Sequence, residues 1–274
     1  MITELIELEP IIKLTRDIKR AAERLNPREI RFLVDTYYQM QDDRLRSASQ
    51  VRSMIKNEDG EPHELISWLY SNFAALERSL KSALGTYSQV YPVGRWAESN
   101  VGVGPVLSAG LLANIDIQKT PHVSHIWSFA GLNPTVKWEK GQVRPWNARL
   151  KVVCFHLGES FVKVSNKEKA FYGQLYSQRK EQEIAKNEAG LFSDQAERIL
   201  KVKKIGKSTD AYKYYSKGFL PPAHIHARAK RWAVKIFLTH WHQVAYELQY
   251  GVTPPRPYII EVIGHKDYID PPNW

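Results

Sequence analysis

The stretch VGVGPVLSAGLLA, residues 101–113, places two glycines directly before a proline and a run of small and apolar residues. Because proline is favoured at the first helical position, this order predicts a glycine turn that enters a helix at Pro105. Glycines let the backbone approach a phosphate closely, and the free N–H groups at a helix amino terminus attract anions. The stretch is typical of a helix-hairpin-helix motif, with predicted backbone contacts at Gly102, Val103 and Gly104.

Two other interpretations apply to this stretch. A dinucleotide-binding loop needs an apolar strand before it and G-x-G-x-x-G spacing, whereas residues 94–100 are polar and the next glycine is Gly110. A plain turn between two helices, marked by glycine and proline, remains an alternative. If the motif contacts phosphate, replacing Gly102 and Gly104 by bulkier residues is expected to weaken binding without unfolding the chain.

The first hundred residues carry apolar side chains at helical spacing. One long helix is predicted from about Arg28 to about Lys56, with Pro27 at its start, and another from about Glu61 to about Leu84. A four-residue polar turn separates them, so they are expected to pair as an antiparallel helical hairpin, a stalk with coiled-coil packing. We assign residues 1–95 to this stalk.

Two helices alone leave apolar surface uncovered, so the stalk is also a predicted self-association arm and the chain a predicted homo-oligomer. Ordinary packing within one chain is the alternative for the same apolar stripe.

Residues 96–274 are assigned to a second, basic domain, and the whole chain to the mainly α class. Helices are predicted over 122–130 and from Asn147 to about Ser165, and a long one that Pro221-Pro222 opens and that runs to about Tyr250. Residues 177–217 are charged and poor in apolar side chains, which predicts a mobile basic segment. Residues 258–263 are predicted to form a lone strand.

A basic loop, residues 135–146, interleaves cations with aromatic residues. Lys137, Lys140 and Arg144 are predicted to meet phosphates, while Trp138 and Trp146 stack on bases or pack locally. The pattern suits nucleic acid, although buried packing is an equal alternative for either tryptophan.

Further cations follow on helices. Arg149 and Lys151 lie just after Asn147, and Arg228, Arg231 and Lys235 follow the i, i+3, i+7 spacing of one helix face. A one-sided basic stripe of this kind is suited to lie along a phosphate backbone.

The charge of the chain is unevenly distributed. The net charge is +10, with 14 basic and 15 acidic residues in the first hundred positions and 25 basic and 14 acidic residues after them. This asymmetry favours an anionic partner for the second domain, with a solvated basic face as the alternative.

Several classes of protein are disfavoured. The chain contains no apolar run of membrane-spanning length, and its amino terminus is acidic, so neither a membrane partner nor a secretory signal is predicted. The single cysteine, Cys154, favours a reducing cytoplasm and excludes a thiolate metal cage. His122 and His125 are three apart but have no carboxylate near them in the sequence, so no metal and no cofactor is predicted.

The order of motifs is similar to the carboxy-terminal half of the IS one-ten / IS one-sixteen / IS nine-oh-two insertion-sequence transposases. The glycine turn is followed by an AGLxP element at residues 129–134, a basic loop, an asparagine-led helix at residues 147–150 and an FYxxL segment at residues 171–175. The resemblance covers roughly residues 60–185. It implies a DNA-binding domain.

The same resemblance includes two departures. Members of that family carry an amino-terminal RuvC-like domain with an acidic quartet for magnesium, and here the chain begins with amphipathic helix instead. They also place a catalytic serine in the loop after the AGLxP element. Here no serine occurs between Ser128 and Ser160, and Thr135 is the only residue there with an aliphatic hydroxyl. No catalytic residue is therefore assigned.

Three functions follow as hypotheses. The first is a cytoplasmic, nucleoid-associated protein that binds DNA, or structured RNA, through its backbone with strong salt dependence. The second is a strand-transfer recombinase that uses a rearranged site or the carboxylates of a partner. The third is an oligomeric interaction protein whose basic half binds an acidic protein.

Overall fold

A computed structural model describes residues 14–56, 63–255 and 268–274. The protein is mainly α: of the residues in these three ranges, 72% are helical, and no strand occurs among them. The helices are α1 Arg16–Ala21, α2 Pro27–Lys56, α3 Glu64–Val90, α4 Pro92–Ser99, α5 Pro105–Asn114, α6 Val123–Phe129, α7 Ala148–Lys163, α8 Phe171–Glu188, α9 Ser193–Val202, α10 Asp210–Ser216 and α11 Pro222–Tyr250. The predicted fold class is confirmed; the predicted strand over 258–263 lies outside the described residues.

Helix starts follow the local sequence. Before α2, the side chain of Asn26 accepts hydrogen bonds from the N–H groups of Arg28 and Glu29, and the Glu29 carboxylate accepts from the Asn26 N–H at 2.8 Å. Asn147 caps α7 by accepting from the Leu150 N–H at 3.0 Å. Pro222 is the first residue of α11, which ends at Gly251 in the left-handed conformation.

One hydrophobic core lies where α7, α8 and α11 meet, with α4, α5 and α6 around them. Its largest buried side chains include Phe161 of α7, Tyr172 of α8, and Phe237 and Trp241 of α11. Phe161 stacks on Tyr172 with ring centroids 5.2 Å apart. Because these large side chains are buried, the central part of α11 lies in the middle of this core and packs on the helices around it.

A second core joins α2, α3 and α5. Ile30 and Val34 of α2 pack with Leu84 of α3 and with Val106 of α5. Further along the pair α2–α3, the Gln41 amide donates to the Glu77 carboxylate at 3.1 Å, and Arg44 forms an ion pair with the same group. Residues on both sides of the domain boundary predicted at residue 95 therefore share one core.

The segment from residue 177 to residue 217 is helical, so its interpretation as a mobile stretch is wrong. The remainder of α8, together with α9 and α10, occupies most of it. This segment has few apolar residues, but a buried charge also attaches it to the rest of the protein. Glu183 is only 1% exposed and pairs with Arg179 and Arg228, each at 2.6 Å. Buried charge that is paired in this way holds a helix in place where composition alone suggests disorder.

The region 85–96, which precedes the glycine turn, is helical apart from Tyr91. α3 continues to Val90, and α4 follows after Tyr91 alone. Pro92 interrupts the helical hydrogen bonding and restarts it as the first residue of α4. The glycine turn consequently has a helix on each side.

The short segment at the carboxy terminus is held by α4 and α11. Trp96 donates its indole N–H to the Pro272 carbonyl at 2.8 Å, and His240 donates from Nε2 to the Ile269 carbonyl at 2.7 Å. Because Nε2 carries the hydrogen, Nδ1 accepts from the Tyr172 hydroxyl at 2.8 Å. Both ring nitrogens of this buried histidine are thus satisfied in the neutral form.

His240 should make the folded state sensitive to acid. Burial lowers the pKa of His240 to about 4, so below the pKa of about 6.5 in the unfolded chain only the unfolded state gains a proton. Stability present above pH 6.5 is therefore expected to be lost toward pH 4, by roughly 2 to 3 kcal/mol. Urea unfolding at several pH values should show this loss, and His240→Gln should show a smaller one; an identical pH dependence in both proteins would contradict the assignment.

Candidate nucleic-acid interface

The glycine turn, residues 100–104, joins α4 to α5. The Val103 N–H donates to the Asn100 carbonyl at 3.0 Å, and the Val103 side chain is buried. Gly104, the N-cap of α5, has no side chain to accept from the first turn, whose first intrahelical bond is from the Ser108 N–H to Gly104 at 3.0 Å. Of the predicted contacts, Val103 is used internally, while Gly104 is partly exposed and provides no side-chain cap for the first turn of α5.

Gly102 serves the shape of the turn. Its φ of 103° is in the left-handed region, and a Cβ there would lie 3.1 Å from Val164 Cγ2. Its carbonyl accepts from the Ser160 hydroxyl at 2.5 Å, which ties the turn to the end of α7. At Gly104, φ is −99° and a Cβ would meet nothing within 4 Å.

The two glycines should therefore respond differently to substitution. Gly102→Ala is expected to lower the free energy of unfolding by about 2 kcal/mol because φ is positive and the space is small. Gly104→Ala is expected to change it by less than about 0.5 kcal/mol. Thermal or urea unfolding measures both, and equal losses would contradict this view of the turn. The expectation that both glycines can be replaced without unfolding stays a prediction, with Gly102 the more costly of the two.

A group of cations beside the turn was not predicted from the sequence. Lys19 of α1 and Arg78 and Lys81 of α3 line one shallow hollow together with Pro105, the first residue of α5. Glu23 also lines it, so the hollow retains a positive excess. Arg78 and Lys81 are three apart on one helix face, a spacing that could have identified them, but α3 was assigned to the stalk.

The basic loop has an ordered centre. The Trp138 indole donates to the Gln142 carbonyl at 2.7 Å, and the Gln142 N–H donates to the Glu139 carbonyl at 3.1 Å. The guanidinium of Arg144 lies over the Trp138 ring, 5.3 Å from its centroid. Trp138 therefore organises the loop and holds a cation at the surface while remaining partly exposed.

The base of the loop is fixed to α6 and α7. The Asn147 N–H donates to the Phe129 carbonyl at 2.8 Å, and Lys151 lies over the Trp146 ring at 4.0 Å from its centroid. A Cβ at Gly131 would lie 2.9 Å from Trp146, so the tryptophan packs directly on the end of α6. Local packing, the alternative interpretation of Trp146, is what the structure shows.

Five of the predicted cations form one exposed group, which we call the basic surface: Lys137, Lys140, Arg144, Arg149 and Lys151. Arg149 pairs with Asp35 at 2.9 Å, with both side chains largely in solvent. In the described ranges, no ion pair involves the other four. Exposed cations without carboxylate partners are free to meet phosphates.

The stripe on α11 is divided in the structure. Arg228 is committed to Glu183 and also donates to Gln195 at 3.1 Å, so it belongs to the anchoring of α8 and α9. Arg231 is exposed. Lys235 lies over the Trp127 ring at 4.9 Å, and burial, followed by the charge of Arg231, lowers its pKa.

Lys235 is thereby placed beside α6, which also carries the base of the loop. The glycine turn lies elsewhere: it packs on residues 160–164 of α7, whereas the basic surface begins at its other end. At 1.5 Å per residue, the 11 residues from Arg149 to Ser160 span about 17 Å. The predicted contacts therefore fall into separate places along α7, and Arg228 lies apart from both.

The described residues offer little for covalent or metal chemistry. Among them, no group of three or more histidine, cysteine and acidic side chains could hold a metal ion. The Thr135 hydroxyl donates to the Asn133 side chain at 2.8 Å, and burial raises the pKa of Cys154 to about 12. In the same ranges, no helix has the length and apolar character needed to cross a bilayer.

Comparison of the chain with models of protein families, with curated proteins and with solved structures found no match. The resemblance to insertion-sequence transposases stays a prediction from the motifs.

Proposed function

We propose that the chain binds DNA through its phosphate backbone, with the basic surface as the principal contact. The observation that carries the proposal is the pair of cation–aromatic contacts, Arg144 with Trp138 and Lys151 with Trp146, which hold one cation on the basic loop and one on the first turn of α7. Ordered cations lose less conformational freedom on binding than free side chains do. Backbone contacts of this kind position a duplex without reading its sequence.

The first turn of α5 is a second contact in this proposal. The uncapped amino terminus of α5 favours an anion, and its first residue, Pro105, lines the hollow that also holds Lys19, Arg78 and Lys81. The two proposed phosphate contacts use different groups. The basic surface uses side-chain charge, and the amino terminus of α5 uses backbone N–H groups as well.

The salt dependence of binding tests the proposal. If the five cations of the basic surface each neutralise one phosphate, log affinity should fall with log salt with a slope of about −4.5. Between about 50 and 200 mM salt this is a loss of several hundred-fold, measured by fluorescence anisotropy on two duplexes of unrelated sequence. Affinity that ignores salt, or no binding to either duplex, would refute the proposal and favour an acidic protein partner.

We also propose that the pair α2–α3 mediates self-association. Several large apolar side chains on it are exposed, and they are Phe32, Leu45, Ile55, Leu65, Trp68, Leu69 and Leu76. A surface of this kind on a helical pair is suited to bury itself against a second copy. Sedimentation should then show an oligomer that Trp68→Glu weakens, and a wild-type protein that is monomeric at all concentrations would refute it.

A further inference from the structure

A large cleft opens next to the basic surface. Its volume is about 1150 Å³, and its walls come from the start of α2, the start of α4, the segment from α5 to α6, the start of α7 and the end of α11. Nothing in the sequence analysis identified it, because its walls are distant in sequence. This volume lies slightly above the usual range of ligand sites, roughly 300 to 1,000 Å³, so a nucleotide with part of its backbone fits inside.

The walls are mainly apolar, with aromatic rings among them. Tyr91, Leu112, Phe129 and Leu248 line the cleft and are at least partly exposed. Trp241 also lines it, and among the described residues its buried indole N–H has no hydrogen-bond partner. A flat heteroaromatic ring matches such walls because it can stack on the exposed aromatic side chains.

The polar groups of the cleft suit the same ligand. The side-chain amides of Asn114 and Asn147 lie 3.5 Å apart and both line it. The Asn147 amide donates to the Asn114 oxygen across that distance, the Asn114 amide also donates to the Gly110 carbonyl, and the Asn147 oxygen caps α7. Each amide still has one N–H and one lone pair, the combination that the edge of a base requires.

Of the lining cations, Lys119 pairs with Asp116 of the cleft at 3.1 Å and Arg149 with Asp35 at 2.9 Å. In the described ranges no ion pair involves Arg31, which donates to the Ala113 carbonyl at 2.6 Å and gives the cleft its positive charge toward an anion.

Arg149 belongs both to the cleft and to the basic surface. A strand held on that surface therefore passes beside the cleft. We propose that the cleft takes an unpaired base of the bound nucleic acid, with flanking phosphates held by the basic surface; this inference rests on the proposed function. Extrusion of a base costs least where the base has no partner, so the preferred substrate is a duplex with an unpaired base.

Two duplexes of equal length and equal phosphate number test the inference. One carries an adenine opposite an abasic residue, and the other carries abasic residues at both positions. The wild-type protein is expected to bind the first on the order of 10-fold more tightly, from stacking of the base. Equal affinities would refute the inference while leaving salt-dependent backbone binding intact.

A matched pair of variants locates the effect. Leu248→Glu places a charge in the cleft at a residue that is 43% exposed, and Val252→Glu places one just beyond the same helix at a residue that is 58% exposed and does not line the cleft. Leu248→Glu should abolish the preference and keep the affinity for the doubly abasic duplex, whereas Val252→Glu should keep both. A preference that survives Leu248→Glu would overturn the assignment to this cleft.

A second measurement is independent of duplex binding. In saturation-transfer NMR, adenosine monophosphate should receive magnetisation on its adenine protons from the wild type and from Val252→Glu, but not from Leu248→Glu. No transfer from the wild type would refute the inference even if duplex DNA binds. Transfer without any duplex binding would refute the backbone proposal and retain a nucleotide-binding cleft.

Discussion

Gly94→Val is expected to lower the free energy of unfolding by more than about 4 kcal/mol. Three helices meet at this position through small residues. The Ser88 hydroxyl of α3 donates to that of Ser108 in α5 at 2.7 Å, and Ser108 in turn reaches the Gly94 carbonyl of α4 at 3.2 Å. A Cβ at Gly94 would lie 2.2 Å from the Ser88 carbonyl oxygen, and the clash is with backbone.

The Ser88 carbonyl cannot move freely, because it accepts from the Tyr91 N–H at 3.2 Å and closes the end of α3. Relief of the clash would separate α4 from α3 and displace the glycine turn that follows α4. Urea unfolding followed by circular dichroism measures the loss, with Gly94→Ala as a milder variant in which the same Cβ is present.

Gly104→Ala is the matched control, because it adds the same Cβ in open space ten residues later. Its unfolding midpoint should remain at the wild-type value. If Gly94→Val also keeps the wild-type midpoint, the close approach of the three helices described here is wrong.

The sequence predicted the elements that have local signals. Pro27, Asn147 and Pro222 each mark a helix start by their own chemistry, and the structure begins α2, α7 and α11 there. The glycine turn before Pro105 was equally visible. These features depend on neighbouring residues only, so one sequence is enough to identify them.

The features that were missed depend on partners far along the chain. α8 and α9 are polar in composition and are held by Glu183, whose partner Arg228 lies 45 residues away. That same contact removes Arg228 from the predicted stripe. The cleft has a similar origin, since residues as distant as Arg31 and Leu248 line it together. Periodicity and composition carry no information on such pairings.

For the candidate interface, the sequence indicated which kinds of side chain take part better than it indicated where they lie in the fold. Lys137, Lys140 and Arg144 are exposed together as the loop composition suggested. Gly102 was interpreted as a phosphate contact, whereas its positive φ and its packing on α7 give it a structural task. Lys19, Arg78 and Lys81 were overlooked because they belong to helices that were assigned to another role.

Reversing three charges of the loop should have the largest effect on binding. The triple variant Lys137→Glu, Lys140→Glu, Arg144→Glu is expected to weaken duplex binding by 10²- to 10³-fold at about 0.15 M salt, because three phosphate contacts are lost and repulsion replaces them. The salt slope should also become less steep, by about one for each contact. Anisotropy titrations at several salt concentrations measure both quantities.

The control must separate local charge from total charge. Lys203, Lys204 and Lys207 are three exposed lysines near α9, away from the loop, and their triple replacement by glutamate lowers the net charge by the same amount. If affinity depended only on the net charge of +10, both variants would lose it equally. A loss confined to the loop variant, with its unfolding midpoint unchanged, places the contact at the basic surface because a uniform field cannot distinguish the two sets of residues.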